Sequence, residues 1–130
     1  MPNFTIKNLK DVEDAAPKFG FSPQLEARFA RRDLACELTG VAYERLAPNV
    51  RPGFGHKHVN QEEIYVVIGG SGRIKIEDDI HDVRQWDAVR VGRDTMREFE
   101  AGPDGLEFIA FGAPTGDESD FELVPGWWSD

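Results

Sequence analysis

HKHVNQEEIYVVIGGSG, residues 56–72, places two histidines one residue apart, then a glutamate pair, an apolar run and a glycine cluster. The segment EEIYVVIG has the alternation and the β-branched and aromatic content of a strand. On a strand, side chains two apart share a face, so His56 and His58 point to one side and Lys57 to the other. Two imidazoles so placed form a natural metal pair, because zinc, copper, nickel and iron(II) all accept imidazole nitrogen. A single carboxylate completes the two-histidine, one-carboxylate set of non-haem iron sites. Glu62 or Glu63 supplies it, and only one of them can, since adjacent strand residues face opposite ways.

Outward from this stretch the chain keeps the same rhythm. Its 13 Gly and 8 Pro cut 130 residues into short segments, most of which alternate polar and apolar with period two. Strands are expected at 27–40, 41–48, 62–69, 72–79, 81–92, 95–102 and 106–114, with turns at Pro48-Asn49, Gly69-Gly70 and Pro103-Asp104. Gly70-Ser71-Gly72 reads as a hairpin turn and not a phosphate loop, because RIKI continues as a strand and opens no helix. A short helical turn is expected around Leu9 to Ala16, ended by Pro17. Evenly spaced short strands without a repeat point to one all-β sandwich or barrel over residues 1–130.

Composition narrows the partners. The 24 acidic against 15 basic residues give a net charge of −9, which repels nucleic-acid phosphates and anionic membrane surfaces. No apolar stretch approaches the ~18 residues of a spanning helix. Cys36 is the sole cysteine, so no intrachain disulfide is available, and MPNFTIKNLKDVED lacks the basic and apolar regions of a secretory signal. The expectation is a cytoplasmic protein, in which Asn3-Phe4-Thr5 is a chance match to a glycosylation sequon. Glu77, Asp78, Asp79 and Asp82 lack calcium-loop spacing and read as a solvated turn, and Arg28, Arg31 and Arg32 as an exposed strand.

Residues 56–70 resemble the first motif of the cupin superfamily: His-x-His, a short gap, Glu, six residues, Gly. Glu62 with Gly69 and Glu63 with Gly70 both satisfy the spacing, and the family's habit with a Glu-Glu pair favours Glu63. WDAVRVGRDTMREFEA, residues 86–101, occupies the place and length of the second cupin motif, with most of its key residues replaced. Trp86 stands for the leading glycine, Gly92 for the proline, Asp94 for the second glycine, Arg97 for the histidine and Ala101 for the asparagine. The resemblance spans roughly residues 41–112. It implies an all-β, double-stranded β-helix (jelly-roll) barrel with that core, N-terminal strands within 1–40 and an aromatic tail at 113–130. It also implies a divalent metal (iron, nickel, manganese or zinc) on His56, His58 and Glu63.

Arg97 stands at the family's fourth ligand and cannot replace it, because a guanidinium stays protonated and has no lone pair to donate. Two outcomes follow. Either the remaining three residues hold a metal with open positions while Arg97 reads an anionic ligand, or Arg97 pairs with Glu63 and the site works without metal. The resemblance implies a cavity lined by the same residues with Tyr65 and Phe99, and Phe108 as an addition, suited to a small anionic or hydroxylated molecule. Trp127 and Trp128 are expected to dock, either over the mouth of their own barrel or on a second subunit. The outward set Ile64, Val66 and Ile68 offers an apolar strip for a homodimer or for the N-terminal segment. Two classes of function stay open: a metal-dependent enzyme of oxygenase or isomerase type, and a metal-free binding or sensing module.

Overall fold

The computed structural model describes residues 2–113 and 120–130. Its strands are β1 Leu25–Phe29, β2 Gly40–Leu46, β3 Phe54–His58, β4 Glu63–Ile76, β5 Asp79–Arg84, β6 Ala88–Val91, β7 Arg97–Gly112 and β8 Phe121–Pro125. All pairings are antiparallel. β4 and β7, of 14 and 16 residues, form the spine and pair with one another along most of their length. The first half of β4 also pairs with β6 and its second half with β5. The far half of β7 carries β2 and then β1, while its start meets β3, which carries β8. One eight-stranded sheet, bent along its long strands, thus curls into the expected all-β barrel.

The bend overturns one expectation. Residues 69–72 are not a hairpin turn; β4 runs straight through them, with register shifts between Val67 and Gly69 and between Gly70 and Gly72. Such bulges let a long strand bend with the sheet. Glycine is needed here because strand β7 is in the way: a Cβ on Gly70 or Gly72 would sit 2.0 or 2.1 Å from the carbonyl oxygen of Gly105 or Glu100. Pro103-Asp104, also expected as a turn, lies inside β7 opposite this bend, where the ladder to β4 skips from Ala101 to Leu106. A proline costs nothing where no N–H is called for.

Other boundaries shift for local reasons. The strand expected at 27–40 ends at Phe29, after which the chain coils through Ala35 at a φ of 57°. The strand at 81–92 divides into β5 and β6 around Trp86, whose φ is 76°. Pro17 does not end a helical turn. It opens the second of two short 3-10 turns, Leu9–Asp11 and Ala16–Phe19, where its missing N–H has no partner to lose. Pro114, the end of the last expected strand, lies outside the described residues. Arg28 is not exposed: with Lys10 and Arg45 it converges on Glu26, and it also donates to the carbonyls of Lys10 and Val12. This cluster pins the N-terminal segment to the outer face of β1 and β2. The acidic residues at 77–79 and 82 are exposed.

Inside, Val67, Ile74, Val91 and Leu106 are sealed from solvent, and Phe99 stacks on Phe108 at 4.4 Å between centroids. Tyr65 stands edge-on to both rings. The C-terminal tail docks on its own barrel. Trp128 is buried with the guanidinium groups of Arg51 and Arg73 at 4.1 and 5.2 Å from its ring, and Trp127 covers Gly55 so closely that a Cβ would lie 2.6 Å from the indole. No helix among the described residues is long and apolar enough to cross a membrane.

Candidate metal centre and its cavity

Three strands deliver the centre. On β3 the period of two turns His56 and His58 to the interior, while Lys57 faces out toward Asp94 and Glu122. On β4 the same rule separates the two glutamates: Glu62 is exposed and bonded to Arg90, and Glu63 turns inward. β7 begins at Arg97, directly across the ladder from His56. One donor atom from each of His56, His58 and Glu63 lies within 4.8 Å of the others. The Nε2 atoms of both histidines stand 3.8 Å from Glu63 Oε1.

Beneath them lies a closed polar network. Arg97 is wholly buried and spends its guanidinium on Glu63 Oε1 at 2.6 Å, the Tyr65 hydroxyl at 2.9 Å and the Thr95 carbonyl at 3.0 Å. The Tyr65 hydroxyl in turn donates to Glu63 Oε1. Burial raises the Glu63 carboxyl, but the nearby His56 imidazole, the hydrogen bond from Tyr65 and the charge of Arg97 outweigh it and hold it at about 2. Burial also depresses both histidines below their ordinary value, against the opposing pull of Glu63. Neutral imidazoles and an ionised carboxylate are the protonation states that a metal requires.

The separations from each histidine to Glu63 also fit a metal. An ion held at about 2.1 Å from each donor sets those donors roughly 3–4 Å apart, a range that includes the observed 3.8 Å. Among the described residues Glu63 Oε2 accepts no hydrogen bond, which leaves it available. Behind His58, the buried Asp120 places Oδ2 3.7 Å from Nδ1, in the position from which a carboxylate orients a ligating imidazole. Arg97 changes the charge balance of the set without blocking it, since it neutralises Glu63 and thereby lowers the attraction for a cation.

The three donors face a cavity of about 600 Å³. Its walls are mostly apolar, with Phe19, Phe21, Phe29, Phe54, Phe121 and Leu123 prominent. Tyr65, Arg97, Phe99 and Phe108 are not on those walls. They lie underneath, Arg97 because its donors are already matched and the rings because they fill the core against one another. The geometry therefore gives Arg97 to Glu63 and leaves it no surface with which to read an anion.

Two polar side chains on the wall escaped the sequence reading, Glu44 and Gln61. Glu44 has a signal in retrospect: in VAYERLAP it shares a strand face with Ala42 and Leu46, both buried, so an acid stands on an inward position. Burial, and then repulsion from Glu63, push its carboxyl up to about 8, with Arg97 opposing. Asp120, in the C-terminal segment, had no sequence signal.

No protein-family model matches this sequence, and neither does any curated protein. Solved structures do. A cupin protein from Bacteroides fragilis superposes with a TM-score of 0.71 at 21% identity, over 90% of this chain and 89% of its own. KdgF from a Halomonas species gives 0.68 at 18% over 92% and 99%. Oxalate decarboxylase from Bacillus subtilis gives 0.73 at 22% over 91% of this chain and 32% of that longer one. These likenesses show the fold: the chain is a cupin-type β-barrel.

Proposed function

We propose that this cupin barrel is a small-molecule-binding protein that holds a divalent metal on His56, His58 and Glu63 at the inner end of the apolar cavity. The observation that carries the reading is the convergence of these three donors on one point that opens into a space large enough for a ligand. Bound there, a metal would supply Lewis acidity and open coordination positions. The protein's own residues divide the remaining work. Tyr65 and Arg97 hold Glu63 ionised and oriented, Asp120 steadies His58, and the phenylalanine wall excludes water from the ligand's apolar part. That wall favours a ligand with a largely apolar body over a small anion.

One observation favours a second reading, a metal-free binding module: Arg97 already satisfies the charge of Glu63. Elemental analysis of untagged protein prepared without chelator decides between them. The metal reading expects near-stoichiometric iron, nickel, manganese or zinc that is lost in His58→Ala while the circular dichroism of the barrel persists. Metal-free wild-type protein that also fails to gain thermal stability from added manganese, nickel or zinc sinks it.

A further inference from the structure

Glu44 is unexplained by the metal centre. It projects from β2 into the cavity, across the ladder from Phe108, between the buried Ala42 and Leu46. Among the described residues its side chain makes no hydrogen bond and no ion pair. It is a half-buried carboxyl on a mostly apolar wall, left without a partner. Nothing in the packing of the barrel needs an acid there, since Ala42, Leu46 and Ala110 fill neighbouring inward positions with apolar groups.

The surroundings say what would satisfy it. Phenylalanine rings line the cavity wall, with Phe21 and Phe54 packed at 5.4 Å between centroids, and an aromatic face attracts a cation. Among the described residues the one guanidinium on the wall, that of Arg31, donates to the carbonyls of Thr39 and Glu37, and Arg97 is sealed below. The chain as a whole carries a charge of −9, which draws cations and turns anions away.

We propose that Glu44 is the polar anchor of the cavity for a primary amine on a compact apolar body, its carboxylate taking the ammonium while the phenylalanine wall takes the remainder. This rests on the reading that the cavity takes a small molecule, and is independent of whether a metal occupies the histidines.

Benzylamine is the probe, with benzyl alcohol as its neutral counterpart of similar shape, each titrated calorimetrically into metal-stripped protein at pH 9, above the value of about 8 to which burial and Glu63 push the Glu44 carboxyl and below the ordinary range of a primary amine. Wild type is expected to bind the amine at least about tenfold tighter than the alcohol, a difference of about 1.4 kcal/mol. Glu44→Gln should bring that ratio close to one without weakening the alcohol, and Glu44→Asp should retain the preference, which guards against a folding artefact. Metal content is read separately on untreated wild-type protein, so failure of the metal reading and failure of this one give different patterns. Equal affinities for the two probes in wild type, an undiminished ratio in Glu44→Gln, or no binding of either probe up to about 10 mM, a limit weaker than about −3 kcal/mol, would overturn the assignment.

Discussion

The guanidinium of Arg97 lies 2.6 Å from the carboxylate of Glu63, fully enclosed, at the barrel position where the resembling motif carries a histidine. The pair keeps Glu63 charged inside the protein, and it competes with a metal for the same negative charge.

Removing that cation should cost stability and raise metal affinity together. Arg97→Met leaves a buried carboxylate uncompensated, a loss of about 3–5 kcal/mol for the metal-free protein. Added manganese or zinc should return much of it. Arg97→His, which also offers a nitrogen donor, should bind metal more tightly than wild type in a chelator competition. Unchanged affinity in both variants would show that the guanidinium has no influence on the centre.

Asp120 should act on the metal through His58. Asp120→Asn keeps the size of the side chain and its hydrogen bond to the Asn60 N–H, but removes the charge behind Nδ1. Metal affinity should fall about 10–100-fold while the melting temperature of metal-free protein changes little. A fall in melting temperature with no change in affinity would make Asp120 a structural pin only.

Trp128→Ala should destabilise the protein by about 3–5 kcal/mol, since it empties a buried site against which Arg51 and Arg73 pack. Limited proteolysis is the check, with cleavage expected within β8 well before the barrel itself is cut.

Acid should release the N-terminal segment. Burial raises the Glu26 carboxyl, yet hydrogen bonds from Lys10, Arg28 and Arg45 bring it down to about 2. A carboxyl lowered in the folded state contributes stability that is present above its ordinary value of 4.5 and is lost as pH falls toward 2. Melting temperature should therefore decline over that window in wild type, and less steeply in Glu26→Gln, which lacks the titrating group. Parallel profiles would remove Glu26 from the acid response.

Much of this was legible because alternation is a local signal. His56 and His58 could be placed on one side from their spacing alone, the resemblance chose Glu63 over Glu62, and the structure brings the three donor atoms together. The glycines at 69–72 misled because a turn and a bulge ask for the same residue: only the far strand, with the carbonyls of Gly105 and Glu100 at the missing Cβ positions, distinguishes them. The weakened second motif keeps its backbone where its residues have changed. Trp86 and Asp94 stand at the motif's two glycine positions with φ of 76° and 56°, a conformation that aspartate tolerates, that tryptophan does not favour and that the sequence does not announce. β8 and Asp120 were out of reach for a different reason. They gain their role from pairing with β3, some 60 residues earlier, and long-range pairing leaves no periodic trace.

The way β3 is held has a dynamic consequence. It meets β7 at a single register pair, His56 with Arg97, whereas every residue from Phe54 to His58 pairs with β8. β8 is an edge strand, exposed along its length, and it supplies Phe121 and Leu123 to the cavity wall. Amide protons along β3 should exchange as soon as β8 lifts, far ahead of those in the β4–β7 spine. The doorway for a ligand and the first step of unfolding are then the same event, so whatever fills the cavity would also fasten the latch, and occupancy would lengthen the lifetime of the folded chain.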